Sequence, residues 1–111
     1  MFEKDLNIGF LLDFYGDLLS ERKHSVMEMY YNEDFSLSEI AEQIGISRQG
    51  VRDIIKKSED ELNFYEDRLG LAKKLRNVEA EADTLRIMAE KSELPSEVYS
   101  KIVELTTIIK Q

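Results

Sequence analysis

Five side chains near the middle of the sequence have the types and spacing that nucleic-acid recognition requires. Arg48, Arg52 and Lys56 are four residues apart, with Gln49 beside the first and Lys57 beside the last. Residues four apart lie on one face of a helix, so these side chains predict a basic stripe. Arginine and glutamine can form paired hydrogen bonds with base edges, while lysine meets phosphate. We therefore predict base contacts from Arg48, Gln49 and Arg52, and backbone contacts from Lys56 or Lys57.

A serine directly precedes the stripe and adds a second type of contact. Ser47 can cap the helix that begins at Arg48, and the first amides of a capped helix attract anions. We include Ser47 with the stripe as a predicted nucleic-acid-binding residue. Binding through one such helix should be weak and salt-sensitive, which favours a second copy or a second partner.

The same charges also fit an ordinary solvated helix face. Basic side chains here could pair at i,i+4 with the acidic residues Glu59, Asp60 or Glu61. Asp53 interrupts the stripe, and Gly50 weakens the helix by about 1 kcal/mol relative to Ala. The run SEDE directly after Lys57 would repel a phosphate backbone. The residues alone leave both interpretations open.

A helix-turn-helix is predicted to position the stripe. Ser36 and Glu39 form a capping box, which starts a helix near Leu37. Gly45 can take the left-handed conformation that ends this helix, and Ser47 can start the next. Apolar or small residues at the positions that pack the two helices together are Ile40, Ala41, Ile44, Ile46, Val51 and Ile54. This pattern predicts a helix-turn-helix over residues 37–57.

The composition of the whole chain favours helices. The 111 residues are 42% hydrophobic and 34% charged, with one Pro and five Gly, which is too few turn residues for a many-stranded sheet. We predict an all-α fold with a helical domain at 1–70 and a C-terminal segment at 71–111. In the domain, an apolar helix runs from Leu6 to Leu19, Ser20 caps a second, and the helix from Arg48 could continue to Gly70.

The C-terminal segment carries a heptad pattern. After Gly70, apolar residues alternate in steps of four and three at Leu71, Leu75, Val78, Ala82, Leu85 and Ala89. Pro95 ends this pattern, and a last amphipathic helix follows. The two helices predict an antiparallel pair, which leaves apolar surface uncovered. The seam could pack within the monomer or between chains, and we predict that it forms a homodimer.

Several function classes are disfavoured by composition. The chain has no Cys, and its one histidine, His24, has no second ligand at helical spacing except Glu28. No Gly-rich phosphate loop and no facing pair of carboxylates occurs, so we expect no enzyme, no metal and no cofactor. The net charge of −8 limits nucleic-acid contact to a local surface. No apolar run reaches the roughly 18 residues of a membrane span, and we expect a cytoplasmic protein.

The segment LLSERKHSVMEMYYNEDFSLSEIAEQIGISRQGVRDIIKKSEDEL resembles the C-terminal promoter-reading domain of bacterial sigma factors. With the apolar opening GFLLDFYGDLLSERK and the coiled tail, the chain more closely resembles the YlxM family of small bacterial helix-turn-helix proteins. The resemblance implies an all-helical, sigma-like bundle and an accessory or regulatory role in the signal recognition particle pathway. It also assigns Arg48, Gln49 and Arg52 to bases and Lys56 to the backbone, while Gly50 departs from the longer residue of sigma factors.

Three hypotheses follow for function. The first is a nucleic-acid-binding accessory of the signal recognition particle that uses Arg48, Arg52 and Lys56 on RNA or DNA. The second is a homodimeric transcriptional regulator that binds a two-fold operator with the same helix. The third is an adaptor whose acidic surface docks on a basic protein partner, such as the particle's RNA-binding subunit.

Overall fold

Every regular element that the structure describes is an α-helix or a 3₁₀ turn. The structure is a computed structural model, and it describes residues 4–111. The helices are α1 (Leu6–Tyr15), α2 (Glu21–Tyr31), α3 (Leu37–Ile44), α4 (Arg48–Leu69), α5 (Leu71–Glu90) and α6 (Ser96–Lys110). This confirms the all-α prediction. The chain divides into two compact units, the first ending at Ala72 and the second running over Lys73–Gln111.

Helix α4 is the centre of the first unit. Helices α1, α2 and α3 all pack against it, and Val51, Ile55 and Leu62 on its inner face are fully buried. These side chains pack in one core with equally buried apolar side chains of the other helices, including Leu12 and Ile40. Burying a side chain of this size contributes about 1.5–3 kcal/mol, so the stripe-bearing helix is fixed by its opposite face.

The first helix is shorter than the sequence predicts. The α-helix ends at Tyr15, and a 3₁₀ turn at Gly16–Leu18 leads to α2. A Cβ on Gly16 would lie 3.1 Å from the His24 Nε2 atom, so the chain passes close to α2 at this point. The predicted single helix from Leu6 to Leu19 is therefore wrong at its end, where the chain turns beside α2.

Helix α4 continues to Leu69 and ends at Gly70, the next helix-breaking residue that the sequence contains after Gly50. Gly70 adopts φ +63° and its amide donates to the carbonyl of Glu66, which is a left-handed C-cap. The Glu66 carboxylate also accepts hydrogen bonds from the Tyr15 hydroxyl at 2.7 Å and from the Ala72 amide at 3.1 Å. One side chain thus joins α1, the end of α4 and the start of α5.

The second unit is a helical hairpin. Lys110 forms an ion pair with Asp83 at 2.9 Å, and Arg86 donates to the Thr106 hydroxyl at 3.1 Å. Because the partner numbers fall as the α5 numbers rise, α5 and α6 run antiparallel. Thr106 is buried and also donates toward its own helix, at the Ile102 and Val103 carbonyls.

Candidate nucleic-acid interface

The turn between α3 and α4 has the geometry that its residues predict. The Ser36 hydroxyl accepts from the Glu39 amide at 3.1 Å, and the Glu39 carboxylate accepts from the Ser36 amide at 2.9 Å. Gly45 has φ +75° and caps α3. The Ser47 hydroxyl then accepts from the Gly50 amide at 3.0 Å and starts α4. The capping box, the left-handed glycine and the serine cap are all confirmed.

The basic side chains lie on the solvent face of α4. All five members of the predicted set on this helix are exposed: Arg48, Gln49, Arg52, Lys56 and Lys57. The opposite face is buried, as its apolar spacing predicts, and it also holds Ser58, whose hydroxyl donates to the Ile54 carbonyl at 2.7 Å. Eight residues separate Arg48 from Lys56, so the surface extends about 12 Å along α4.

Two members of this surface make weak local bonds. Gln49 donates to the Asp53 carboxylate at 3.0 Å, and Lys56 pairs with Asp60 at 3.2 Å. The second pair is the i,i+4 contact that the solvated-face interpretation predicts. More than 60% of each of its side chains is exposed, and exposed pairs contribute about 0–1 kcal/mol. Either bond can therefore be exchanged for a stronger anionic or base ligand.

The acidic run after Lys57 is largely engaged in the fold. The Tyr31 hydroxyl donates to Glu59, and Glu61 accepts from Lys23 at 2.8 Å and from Tyr65 at 2.9 Å. The hydrogen bond from Lys23 lowers the pKa of Glu61. Glu59 and Glu61 thus turn toward α2 and their own helix, so they repel a phosphate at the basic stripe less than the sequence suggests.

The two neighbouring tyrosines differ in burial. Tyr30 is buried, with 4% of its surface exposed, and burial raises the pKa of its hydroxyl. Tyr31 is half-buried, and burial together with its bond to Glu59 raises the pKa of its hydroxyl strongly. The rings meet edge to face with their centroids 5.2 Å apart. Both tyrosines therefore support the packing of α2.

One cation near this surface has no signal in the local sequence. The Lys4 ammonium lies 2.9 Å from the Asp34 carboxylate and 4.7 Å from the centre of the Tyr30 ring. Together with Arg48 and Arg52, Lys4 lines a cleft of 400 Å³. Lys4 and Asp34 are 30 residues apart in the chain, so only the fold reveals that Lys4 adds to the basic surface.

A comparison with protein families matches nearly the whole chain. The model described as "UPF0122: Putative helix-turn-helix protein, YlxM / p13 like" covers residues 2–104. The chain belongs to the UPF0122 family. The predicted resemblance to YlxM proteins is thereby confirmed, and the helix-turn-helix at α3 and α4 is the feature that the family's description names.

Relatives from several bacteria share most of the length of this UPF0122 member. The UPF0122 protein of Listeria innocua is 38% identical over 109 residues, which cover 97% of this chain and 99% of the relative. That of Thermoanaerobacter sp. strain X514 is 39% identical over 105 residues, covering 91% and 89%. The protein TTE1463 of Caldanaerobacter subterraneus subsp. tengcongensis is 56% identical over 64 residues, covering 58% and 55%.

The predicted dimerisation seam lies partly buried and partly open in this UPF0122 member. Ala72 of the first unit is buried, and within the hairpin Ala82 and Ala89 are covered. The larger seam residues Leu71, Val78 and Leu85 keep between 38% and 45% of their surface exposed. The small seam residues Ala82 and Ala89 are thus buried within the hairpin, whereas Leu75 is only half-buried.

An apolar groove follows the open part of the seam within the hairpin. It has a volume of 340 Å³ and is lined by Val78, Ala82 and Leu85 from α5 and by Leu105 and Ile109 from α6. Its rim carries the oppositely charged residues Lys74 and Glu81. Exposed apolar surface of this kind, edged by polar residues, is typical of an interaction site.

The surroundings of His24 and the apolarity of the helices bear on metal and membrane sites in the described part of the chain. The His24 ring lies 3.4 Å from Glu28 and 3.9 Å from Asp17, and no group of three or more ligand side chains suited to a metal occurs within residues 4–111. Among the helices described there, none is both long and apolar enough to cross a bilayer.

Proposed function

We propose that the protein is a non-enzymatic, nucleic-acid-binding accessory or regulatory protein of the signal recognition particle pathway. The observation that carries the proposal is the exposed basic stripe on the first three turns of α4, opposite a fully buried face. A helix presented in this way can enter a groove or a loop of nucleic acid with its N-terminal residues leading. The resemblance to YlxM proteins supports the assignment to the signal recognition particle.

The proposed contacts divide into two groups. Arg48, Gln49 and Arg52 lie on the first turns of α4 and contact base edges. Ser47, Lys56 and Lys57 contact the phosphate backbone; this second group positions the helix without specifying sequence. Within residues 4–111, neither Arg48 nor Lys57 has a hydrogen-bond or ion-pair partner, so these two cations need to give up no bond when they bind.

Duplex DNA is the second candidate ligand, because the confirmed helix-turn-helix is the element that places a helix in the major groove. In that role the protein is a homodimeric transcriptional regulator that contacts a two-fold operator. The two functions use the same residues, so a competition experiment must separate them.

The decisive experiment is a titration of the protein into labelled signal recognition particle RNA, with unlabelled duplex DNA as competitor, at about 50 mM and about 150 mM salt. Salt-sensitive binding that duplex DNA does not displace supports the accessory role. Binding that any duplex removes supports the transcriptional regulator. Absence of binding at both salt concentrations overturns the accessory role and the transcriptional regulator, and favours the acidic adaptor hypothesis.

A matched pair of double variants controls for charge and folding. Arg48→Ala with Arg52→Ala removes two cations from the stripe, and we expect binding to fall at least tenfold. Arg22→Ala with Arg68→Ala removes two cations elsewhere, since Arg68 lies about 24 Å along α4 from Arg52. The control should bind like the wild type. If the stripe variant unfolds instead, the two arginines are structural and the proposal loses its main support.

We further propose that a second copy of this chain occupies the apolar groove of the hairpin. A two-helix hairpin buries only one side of each helix, and two hairpins can together form a four-helix bundle. Val78 and Leu85 would be covered in it, with Leu71 and Leu75 extending the seam that also contains Ala82 and Ala89. A two-fold interface is self-complementary, so Lys74 of each copy can face Glu81 of the other.

A further inference from the structure

The cleft beside the basic stripe has the features of an anion site that extends beyond α4. It lies between Lys4, the residues that start α3, and the first two turns of α4. Its volume of 400 Å³ is within the range of about 300–1,000 Å³ that ligand sites usually have. Among residues 4–111, its charged lining consists of the three cations Lys4, Arg48 and Arg52 and one carboxylate, Asp34. These described residues give the cleft a positive balance of charge, in a protein whose net charge is −8.

The ammonium group of Lys4 is held in place by two neighbours. It lies 2.9 Å from the Asp34 Oδ1 atom and 4.7 Å from the centre of the Tyr30 ring. About a third of the Lys4 side chain is exposed, while 87% of Asp34 is exposed. Because the Asp34 carboxylate is largely in water, the pair contributes only about 0–1 kcal/mol, and Lys4 can exchange this carboxylate for a stronger anionic ligand at small cost.

The beginning of α3 also points into the cleft. Ser36 and Ser38 line it, and both carry hydroxyl groups that can donate to an anion. The capping box uses the Ser36 and Glu39 amides, while the partial positive charge of the helix N-terminus remains at this end of α3. Side-chain cations from two other segments therefore meet a helix end that itself favours an anion.

The cleft continues into the surface that we assign to base contacts. A second groove, of 310 Å³, is lined by Leu37, Arg48, Gln49 and Arg52, and it shares both arginines with the cleft. A strand with one phosphate in the cleft would therefore reach Gln49 in the adjoining groove. This continuity favours one phosphate of a polymer strand over an isolated small anion.

We propose that the cleft binds one phosphate group of the nucleic-acid strand that α4 contacts, and that Lys4 is a positioning residue for this strand. The inference rests on the proposed nucleic-acid binding and adds to it a contact from outside the helix-turn-helix. Because phosphate contacts fix the strand without specifying its sequence, Lys4 sets the register in which Arg48 and Gln49 meet the bases.

The test uses the full chain, labelled signal recognition particle RNA and labelled duplex DNA, with affinities measured between about 50 mM and 200 mM salt. Lys4→Ala should weaken binding about fivefold at about 150 mM salt and lower the salt slope by about one. Asp34→Asn should tighten binding, because among residues 4–111 it removes the only carboxylate that lines the cleft. Asn tolerates the φ of +56° at this position, so the backbone should be preserved.

Arg22→Ala is the matched control. It removes one cation from the same unit, but Arg22 lies at the opposite end of α2 from Tyr30, about 12 Å along the helix axis. If Lys4→Ala and Asp34→Asn leave the affinity and the salt slope unchanged while the wild type binds, the proposed function stands and the proposed phosphate site in the cleft is overturned. Loss of binding that is equal in Arg22→Ala and Lys4→Ala overturns it as well, since net charge alone would then explain the effect. Absence of binding by the wild type removes both proposals.

Discussion

The Tyr15 hydroxyl donates a hydrogen bond of 2.7 Å to the Glu66 carboxylate, and this bond connects residues 51 positions apart in the chain. Tyr15 is 2% exposed, and its burial raises the pKa of its hydroxyl. The same Glu66 oxygen accepts from the Ala72 amide. The carboxylate therefore ties the first helix to the glycine-capped end of α4, and so helps to hold α4 against its neighbours.

Removing this hydroxyl should destabilise the first unit. A buried hydrogen bond to a charged group contributes about 1.5–3 kcal/mol, and Glu66 keeps its bond to Ala72, so we expect Tyr15→Phe to cost about 1–2 kcal/mol. Urea unfolding monitored by circular dichroism measures the change. Tyr99→Phe is the control, because Tyr99 lies on α6 in the second unit and is 37% exposed. Equal stability of Tyr15→Phe and wild type would show that the bond contributes nothing.

Two glycines should respond in opposite directions to alanine. Gly45 has φ +75°, where a Cβ is strained, so Gly45→Ala should cost about 1–2 kcal/mol. Gly9 lies within α1. Outside its own helix, and among the residues that the structure describes, a Cβ there would meet only Tyr31 Cδ1, at an ordinary 3.9 Å. Gly9→Ala should therefore stabilise the protein by about 0.5–1 kcal/mol through helix propensity. Urea midpoints that move in the same direction for both variants would contradict this argument.

The helix-turn-helix could be predicted because its signals are local. The Ser36 and Glu39 box, the turn at Gly45 and the cap at Ser47 each depend on residues within four positions, and all are present. The exposure of Arg48 and Arg52 follows from the same periodicity, once the buried face is known. What these residues bind is a separate question, and their contacts with nucleic acid remain predictions.

The features that the sequence did not reveal depend on contacts between distant residues. The end of α1 lies where Gly16 comes close to His24, and the Lys4 ammonium in the cleft is paired with Asp34, 30 residues away. The inward turn of Glu59 requires Tyr31 on another helix. Periodicity indicates which face of a helix is buried, but it does not identify the partner across the interface.

The capping box of α3 should make stability depend on pH. Hydrogen bonds from the Ser36 backbone and side chain lower the pKa of Glu39 below its ordinary value of 4.5. A carboxyl with a lowered pKa in the folded state stabilises the fold above its unfolded pKa, and this contribution is lost as the pH falls through the folded value. We therefore expect the wild type to lose this stabilisation as the pH falls below 4.5.

Glu39→Gln isolates this effect from the other acidic groups. Glutamine can keep the capping box but does not titrate. In thermal melts the wild type should be more stable than Glu39→Gln at about pH 7, and the difference should disappear near about pH 3. A difference that stays constant over this range would mean that the charge of Glu39 contributes nothing to the cap.

The proposed dimer makes a prediction about charge reversal at the groove. Because Lys74 of each copy can face Glu81 of the other, either Lys74→Glu or Glu81→Lys places like charges together at two symmetric positions. Each single reversal should weaken dimerisation on the order of tenfold, and the double reversal Lys74→Glu with Glu81→Lys should restore it. Sedimentation velocity over a range of protein concentrations measures the dissociation constant.

Recovery in the double variant is the outcome that distinguishes a pairing from a general effect of charge. Lys91→Glu is the control, because Lys91 is an exposed residue of the same hairpin that does not line the groove. It makes the same change in net charge as Lys74→Glu and should leave the dimer unaffected. A wild type that sediments as a monomer at every concentration would rule out the dimer. If both single variants dimerise more weakly and the double variant does not recover, the two charges lie in the interface but do not face each other.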